Sequence, residues 1–229
     1  MQPYIFPYIG YFQMVNAVDK FVFYDDVNFI KKGWINRNRI LVNGRDFLFT
    51  VPLYKASQNN LILESDIQED TYLEWKNKFL QTIELNYKKA QYFKEVYQLL
   101  TVFFDKEFHN ISEMAIESVN LVLDDLRVEA TFTKSSEAYQ NKGMERQERL
   151  IDICKQENAD HYINAIGGQE LYKKEDFLKA GIKLDFIKPL PISYKQFNNE
   201  FIPWLSIIDV LMFNSKEEVI EMLNKYDLI

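Results

Sequence analysis

The residues best able to do chemistry are concentrated in the first 39 positions of the chain. Asp25 and Asp26 directly follow the apolar block FVFY at 21–24, and a carboxylate pair there can bind a hard cation or act as a base. The alternative is that the pair only closes a turn at the end of a strand. The cations and amides that follow favour the first interpretation. We therefore predict that Asp25 and Asp26 are catalytic residues of a polar ligand site.

A cationic run, KKGWINRNR at 31–39, follows the aspartates. Arginine and lysine can hold phosphate or carboxylate, amides can bind hydroxyl groups, and an indole can stack on a sugar or a base. The predicted substrate-binding residues of this run are Lys31, Trp34, Asn36, Arg37, Asn38 and Arg39. Two alternatives stay open, because the charges could form a solvated surface and the tryptophan could belong to the core. The stretch QPYIFPYIGYF at 2–12 adds the candidates Gln2, Tyr8 and Tyr11.

Further polar residues follow two predicted strands in the second half of the chain. Ser135 and Ser136 come after VEATFT at 128–133, and YINAI at 162–166 runs into Gly167-Gly168. Ligands of open α/β sheets collect at the carboxyl ends of strands, so these turns and the aspartates are expected along one sheet edge. The two glycines also lead into a predicted helix, whose first N–H groups can bind an anion. The predicted substrate-binding residues are Asn164, Gly167, Gly168, Gln169 and Glu170.

Three other regions supply side chains that are expected to face the interior or the site. Gln147 precedes Leu150 on the apolar stripe of a helix predicted over 144–158, so it should point inward towards substrate. The polar and aromatic segment SYKQFNNEF at 193–201 is predicted to form a lid or a site wall that includes Tyr194 and Asn199. Asp209 is the only charge in PWLSIIDVLMFN at 203–214, a predicted helix, and is expected to be buried and paired.

The elements that must position these residues indicate an α/β fold. Strand and helix patterns alternate after residue 128, which predicts βαβ units and a mostly parallel sheet flanked by helices. Two strands around Asn43-Gly44 predict a β-hairpin at about 39–52. Aromatic and aliphatic residues at helical spacing predict a helical insertion at about 71–126. We expect a single domain over residues 1–229, because no linker or internal repeat divides the chain.

Composition and charge exclude several classes of protein. The formal net charge of −7 argues against general binding of nucleic acids, which favours basic surfaces. The single cysteine, Cys154, lies on an apolar helix stripe, so it is predicted to be core and offers no disulfide framework or thiolate zinc site. No apolar run is long enough to span a membrane. These features predict a cytoplasmic protein without membrane insertion.

The chain resembles the WbqC-like protein family in four stretches: QPYIFPYIGYF, YDDVNFIKKGWINRNRI, YINAIGGQELY and KQFNNEFIPWLSIIDVLMFN. Members of that family are found among bacterial genes for O-antigen and other surface polysaccharides, so the resemblance implies a pathway more firmly than a reaction. Similar members carry a few apolar residues before the Gln-Pro pair, which form a first strand. The resemblance therefore implies that this strand is absent or very short here, or lies upstream of Met1.

The run PYIGY at 7–11 is also similar to the entry from strand to helix in nucleotidylyltransferases and pantothenate-synthetase-like ligases that carry a HIGH motif. Tyr8 and Tyr11 stand where those enzymes have histidines, and tyrosine can donate a hydrogen bond but lacks the cationic option. The similarity implies a nucleotidyltransferase-like core more firmly than it implies the chemistry.

These observations lead to three hypotheses about function. The first is an enzyme that modifies a phosphorylated or nucleotide-linked amino sugar, by transfer of an acyl or aminoacyl group, in surface-polysaccharide biosynthesis. The second is an ATP-dependent adenylate-forming ligase or nucleotidyltransferase, and the third is a non-catalytic sugar-nucleotide-binding or assembly protein. The cofactor stays open, with Mg²⁺ and a nucleotide as the candidates, and a homodimer is one expected form.

Overall fold

The structure is a computed structural model that describes residues 1–198 and 200–229. The helices are α1 (Ile9–Asn16), α2 (Glu69–Tyr87), α3 (Phe93–Phe104), α4 (Ile111–Leu126), α5 (Ser135–Ala138), α6 (Arg146–Gln156), α7 (Lys174–Lys179), α8 (Ile207–Phe213) and α9 (Lys216–Leu223). The strands are β1 (Lys20–Phe23), β2 (Arg37–Val42), β3 (Arg45–Thr50), β4 (Thr131–Lys134), β5 (His161–Ala165), β6 (Lys183–Pro189) and β7 (Tyr226–Leu228). This mixture of helices and strands confirms the predicted α/β class.

The described strands form three small sheets. β1 pairs in parallel with β4, and β5 pairs in parallel with β6, whose other edge carries the antiparallel strand β7. The short helix α7 connects β5 to β6, so this part of the chain is a βαβ unit. The parallel pairing that the alternating pattern predicts is therefore present, but it is divided between two sheets.

The third sheet is the predicted hairpin, formed by β2 and β3. Asn43 and Gly44 connect the strands with positive φ angles of 51° and 72°. Two consecutive residues in this region favour the tight turn whose twist matches that of a hairpin, and asparagine followed by glycine adopts it at the least cost. Phe49 of β3 then packs against Phe79 of α2 with 4.6 Å between the ring centroids, which fixes the hairpin on the helices.

Helices α2, α3 and α4 form the predicted helical insertion, and aromatic packing joins α2 to α3. The Trp75 and Phe79 rings are stacked with centroids 5.4 Å apart, and Phe79 meets Phe104 of α3 edge-on at 5.5 Å. Asn110 caps the next helix, because its side chain accepts a hydrogen bond from the N–H of Glu113. The aromatic stripe of the sequence is thus mainly core, as its spacing predicts.

Met1 adds a single parallel bridge to β1. Its amine donates to the carbonyl of Val22 at 2.7 Å, and its carbonyl accepts from the N–H of Tyr24 at 2.8 Å, which is the pattern of a parallel ladder around Phe23. A cavity of about 330 Å³ adjoins this bridge and is lined by residues of both β1 and β5, including Val22 and Ile163.

A second, smaller apolar cluster packs between α6, α7 and the β5–β6 sheet, and it includes Cys154 and Phe177. Burial raises the pKa of the Cys154 thiol to about 11, so this cysteine is a core residue, as predicted. Among the described residues, no helix has both the length and the apolar character needed to cross a membrane.

Candidate functional site

The carboxyl ends of β1 and β4 bring the two aspartates against the two serines that follow β4. Ser135 Oγ lies 3.1 Å from Asp25 Oδ1 and 2.5 Å from Asp26 Oδ1, and its single proton can serve either oxygen. Ser136 donates through its hydroxyl to Asp25 Oδ2 at 2.7 Å and through its backbone N–H to Asp25 Oδ1 at 3.0 Å. The prediction that these two turns meet is confirmed, because parallel strands end on the same side of their sheet.

Arg149 completes this arrangement, although the sequence analysis does not single it out. Its Nη2 donates to Asp26 Oδ2 at 2.6 Å, its Nε donates to Asn141 Oδ1 at 2.8 Å, and its guanidinium lies 4.5 Å from the ring centroid of Tyr24. The side chain is only 3% exposed. A signal was present in the sequence, because Arg149 precedes the buried Ile153 by one helical turn and therefore shares its buried face.

We name Asp25, Asp26, Ser135, Ser136 and Arg149 the carboxylate cluster. Every carboxylate oxygen in it accepts a hydrogen bond from a serine or from the arginine. Mg²⁺ needs near-octahedral oxygen ligands, and a guanidinium already neutralises one aspartate, so the cluster does not fit this ion as it stands. Within residues 1–198 and 200–229, no group of three metal-ligating side chains is present. The cluster opens into a cleft of about 430 Å³ that Lys142 also lines.

The third polar turn, after β5, is held by its own amide contacts. Asn164 Oδ1 accepts from the N–H of Ala165 at 2.8 Å, and Asn164 Nδ2 lies 2.7 Å from where a Cβ of residue 168 would be. A larger residue at 168 would therefore require the Asn164 amide to move. Gly168 is buried, whereas the residues exposed in this turn are Gly167, Gln169 and Glu170.

Gln147, on α6, holds the turn that leads into α7. Its Nε2 donates to Asp176 Oδ2 at 3.1 Å, and its Oε1 accepts from the N–H of Lys173 at 3.1 Å. The side chain is half-buried, as the helix stripe predicts, but both ends of its amide are engaged within the protein. A substrate contact through Gln147 stays a prediction.

Tyr24 contacts Arg149 of the carboxylate cluster and lines a cavity that Asn164 also lines. Burial raises the pKa of the Tyr24 hydroxyl, the Arg149 guanidinium partly opposes this, and the charge of Asp26 and the hydroxyl of Tyr172 raise it further. Tyr172 follows the third turn, so the pKa of Tyr24 reflects groups from both regions. The turn after β5 ends a strand of a different sheet from β1 and β4, so the three turns do not share one sheet edge as predicted, although Tyr24 and Asn164 line the same cavity.

The cationic run lies on a different structural feature, an exposed aromatic surface. Trp34 is 46% exposed, so the interpretation of this residue as core is wrong. The guanidinium carbons of Arg37 and Arg39 lie 5.7 and 5.3 Å from the centroid of its ring. Trp204 is 67% exposed and its ring centroid lies 5.8 Å from that of Tyr8. We name these five residues the arginine–tryptophan surface.

A network of backbone contacts supports this surface from beneath. Ser206 donates through its N–H to the carbonyl of Arg39 at 2.8 Å and through its hydroxyl to the carbonyl of Phe6 at 2.7 Å. The amide of Asn38 also donates to the carbonyl of Phe6, at 2.5 Å, and the amide of Asn36 donates to the carbonyl of Val51 at 2.9 Å. Both asparagine amides thus hold backbone, and their predicted contacts with substrate hydroxyls stay predictions.

Trp204 lies outside the helix that its apolar surroundings predict. The sequence predicts a helix over 203–214, but α8 begins only at Ile207, because Ser206 caps it by accepting from the N–H of Ile208. Trp204 precedes the cap with a φ of 63°, a left-handed conformation that is uncommon for a bulky residue. The conformation leaves its indole in solvent, and the apolar composition of the run concealed this candidate.

The remaining candidates of the amino-terminal stretch have different environments. Tyr11 is buried and its hydroxyl donates to the carbonyl of Gln2 at 3.2 Å, while the Gln2 side chain is half-buried. Lys31 is exposed. Asn199 lies outside the described residues.

Tyr194 is tied to Asp209 rather than to the carboxylate cluster. Its hydroxyl and Gln196 Nε2 each donate to Asp209 Oδ2 at 2.7 Å, and Tyr87 donates to Asp209 Oδ1 at 2.7 Å. Burial raises the pKa of Asp209, and the three hydrogen bonds oppose that shift. Asp209 is buried and hydrogen-bonded, as predicted, and it anchors the start of the 193–201 segment.

Fold and geometry together define an α/β protein with a polar cluster at the carboxyl ends of parallel strands and a separate exposed surface of arginine and tryptophan. Comparison with known proteins agrees with the sequence resemblance: the model of the WbqC-like protein family matches residues 2–221, and the chain belongs to that family.

The chain is also similar to a protein of Mycobacterium tuberculosis (strain ATCC 25618 / H37Rv) described as uncharacterized protein Rv1507c. The two are 27% identical over 210 residues, which cover 91% of this chain and 89% of that protein. No solved structure matches the chain.

Proposed function

We propose that this protein is an enzyme that transfers an acyl or aminoacyl group to the amino group of a phosphorylated or nucleotide-linked sugar in bacterial surface-polysaccharide biosynthesis. The observation that supports it is the pair formed by Asp25 and Ser136, in which a buried carboxylate meets a half-buried hydroxyl at 2.7 Å. Ser136 lines the cleft of about 430 Å³. A hydroxyl that is hydrogen-bonded to a proton acceptor thus lies at the wall of a cleft large enough for a sugar.

In the proposed reaction, the sugar amine attacks the acyl carbon of an activated donor, such as a thioester or an acyl adenylate. The new C–N bond forms, the bond to the leaving group breaks with its electron pair, and the amine proton passes through the Ser136 hydroxyl to Asp25. Arg149 holds Asp26 beside this relay, and Lys142 lines the cleft where it can attract a substrate phosphate. Gln147 and Asn164 contribute by stabilising turns, because each accepts a hydrogen bond from a backbone N–H there.

A matched pair of aspartate substitutions tests this proposal. Asp25→Asn removes the proton acceptor, and Asp227→Asn makes the same change on the exposed face of β7. A panel of nucleotide-linked amino sugars and activated acyl donors is incubated with each variant, and mass spectrometry detects the gain in sugar mass. We expect D25N to bind the sugar but to lose turnover by about 10²–10⁴-fold, the usual contribution of a general base. D227N should behave as the unmodified protein.

A non-catalytic binding or assembly protein is the second candidate function. The observation that favours it is the complete hydrogen bonding of the carboxylate oxygens in the cluster. Binding of a nucleotide-linked sugar without product from any donor would support this candidate. Unchanged turnover in D25N would instead remove Asp25 from the reaction. For an adenylate-forming ligase, the buried Tyr11 hydroxyl offers no support, because it donates to a backbone carbonyl rather than into a cleft.

A further inference from the structure

The arginine–tryptophan surface is not used by the proposed transfer reaction. Within residues 1–198 and 200–229, no hydrogen bond, ion pair or ring contact joins its side chains to those of the carboxylate cluster. Few of the guanidinium donors on this surface have a hydrogen-bond partner among the described residues. Arg37 Nε donates to the carbonyl of Gly33, and Arg39 pairs with Asp46 at 3.3 Å, where both side chains are exposed. Most guanidinium donors of the two arginines therefore face solvent.

Two indole side chains on this surface, those of Trp34 and Trp204, are exposed to water, although their burial would be more favourable. A contiguous patch of exposed aromatic side chains marks a binding site, whereas single exposed apolar residues are common on protein surfaces. Trp204 in addition holds a left-handed backbone conformation at φ 63°, which carries strain of about 1–3 kcal/mol for such a residue. Strain that keeps an aromatic ring in solvent points to a function for the ring.

The surface is also prepared for a ligand before binding. The hydrogen bonds of Ser206 and Asn38 join its three segments, at 5–8, 34–39 and 204–206, into one framework. The Tyr8 ring packs directly over Gly10, where a Cβ would lie 2.3 Å from the ring. Groups that are held in place lose little conformational freedom on binding, which favours affinity.

The charge around this surface selects an anion. Residues 31–46 contain the five cations Lys31, Lys32, Arg37, Arg39 and Arg45 and one carboxylate, Asp46, in a protein whose formal net charge is −7. A local positive field of this kind attracts anions despite the overall charge. Arginine adds planar, bidentate geometry that matches phosphate and carboxylate groups.

We propose that the arginine–tryptophan surface binds an anionic saccharide, with a sugar ring against Trp204 and Tyr8 and with its phosphate or carboxylate on Arg37 and Arg39. The apolar face of a sugar suits an indole, and the guanidinium groups supply the donors that its charge requires. The inference goes beyond the proposed transfer reaction, because binding at this surface needs neither Asp25 nor an acyl donor.

Titration of the three indole N–H resonances by NMR tests the proposal with defined probes. The protein is titrated with glucose 1-phosphate, glucose and inorganic phosphate, and the resonances of Trp34, Trp75 and Trp204 are assigned from single substitutions. We expect glucose 1-phosphate to shift Trp34 and Trp204 but not Trp75, with an affinity at least about tenfold above that of either fragment. Equal affinity for glucose would overturn the anionic part, and equal affinity for phosphate would overturn the saccharide part.

Substitutions then connect the binding to the surface. Trp204→Ala and Arg39→Ala should each weaken the binding of glucose 1-phosphate by about tenfold or more. Arg45→Ala, on the same hairpin, should change it by less than about threefold, because an exposed charge acts only through a screened field. Binding by W204A and R39A that equals the unmodified protein would refute the proposal.

Two more measurements separate this inference from the transfer reaction and identify the source of the ligand. D25N should bind glucose 1-phosphate at the surface as the unmodified protein does, so failure of the transfer hypothesis leaves this test intact. Comparison of a nucleotide-linked sugar with an oligosaccharide of uronic acids shows which source of negative charge the surface prefers. If neither moves the Trp204 resonance, the surface does not recognise anionic saccharides.

Discussion

The carboxylate cluster and the arginine–tryptophan surface both place arginine beside an aromatic ring, and they differ in what the guanidinium meets on its other side. Arg149 lies 4.5 Å from the centroid of Tyr24 and donates to Asp26 and Asn141 in the protein interior. Arg37 and Arg39 lie 5.7 and 5.3 Å from Trp34 and direct most of their donors to solvent. The same pair of chemical groups is thus internally satisfied in one region and available in the other.

Because of this difference, substitutions in the two regions can distinguish effects on folding stability from effects on ligand binding. Removing one partner of a buried ion pair leaves an uncompensated charge, so the cost falls on folding. Removing an exposed guanidinium costs little folding free energy, because water replaces it, but a ligand that needed it loses a partner. Substitutions of equal chemistry in the two regions should therefore move different measurements.

The largest effect is expected from Arg149→Ala. This substitution leaves Asp26 buried without its cation and Asn141 without its donor, so the free energy of unfolding should fall by about 3–5 kcal/mol. Urea denaturation followed by circular dichroism measures it. Arg149→Met with Asp26→Leu together is the matched control, because replacing both charges by apolar groups is often neutral. A loss of less than about 1 kcal/mol in R149A would show that the cluster does not support the fold.

A titratable group that interacts with the carboxylate cluster through Asp25, the amine of Met1, should make stability depend on pH. Burial lowers the pKa of this amine from 8.0 to about 5, and Asp25 partly opposes the shift. Between these values the unfolded chain binds a proton that the folded chain does not, so stability should fall as the pH is lowered from 8 to 5. We expect about 1 kcal/mol, because solvent screens a residue that is 38% exposed.

An added residue before Met1 supplies the control for this pH dependence. It converts the amine to a peptide N–H, which can still donate to Val22 but cannot titrate, so the slope between pH 8 and 5 should become shallower. An extension before Met1 that contains alternating valine residues should raise the melting temperature more than a Gly-Ser extension does. The valine side chains can pack into the cavity beside β1. An identical slope with and without the extension would contradict the assignment to the amine.

Much of the fold could be predicted from the sequence, because local chemistry decides it. The Asn43-Gly44 turn, the helical insertion and the contact of Asp25 and Asp26 with Ser135 and Ser136 all follow from turn residues, periodicity and parallel pairing. The division of the strands between two parallel sheets could not be predicted, because it depends on which strand edges meet in space. β7 was missed because its three residues carry too little pattern.

The site could be predicted less well, for a reason that the two arginine environments illustrate. Residue types indicate which groups can do chemistry, but they do not indicate whether those groups already form hydrogen bonds within the protein. The amides of Asn36, Asn38 and Gln147 hold backbone, and Arg149 was overlooked because a charge on an apolar helix face gives no sign of its partner. Trp204 was concealed because a cap two residues later, not its apolar neighbours, decides where the helix begins.

A smaller effect on stability is expected from Gly10→Ala, which disturbs the arginine–tryptophan surface from beneath. The added Cβ would lie 2.3 Å from the Tyr8 ring, so the ring must shift and its contact with Trp204 must change. The lost ring contact is offset by the better helix propensity of alanine, so the net change should stay within about 1 kcal/mol. The Trp204 indole resonance should shift, and glucose 1-phosphate should bind more weakly. An unchanged resonance would show that Tyr8 does not position Trp204.

The smallest effect on stability is expected from Arg39→Ala, and it bears most directly on the comparison. The pair with Asp46 is exposed, so its loss should change the free energy of unfolding by no more than about 0.5 kcal/mol. The same substitution should weaken the binding of glucose 1-phosphate by about tenfold or more. Urea denaturation and the NMR titration, run on one preparation, give both numbers. A stability loss as large as that of R149A would mean that the surface serves the fold, because only a guanidinium already satisfied within the protein costs that much to remove.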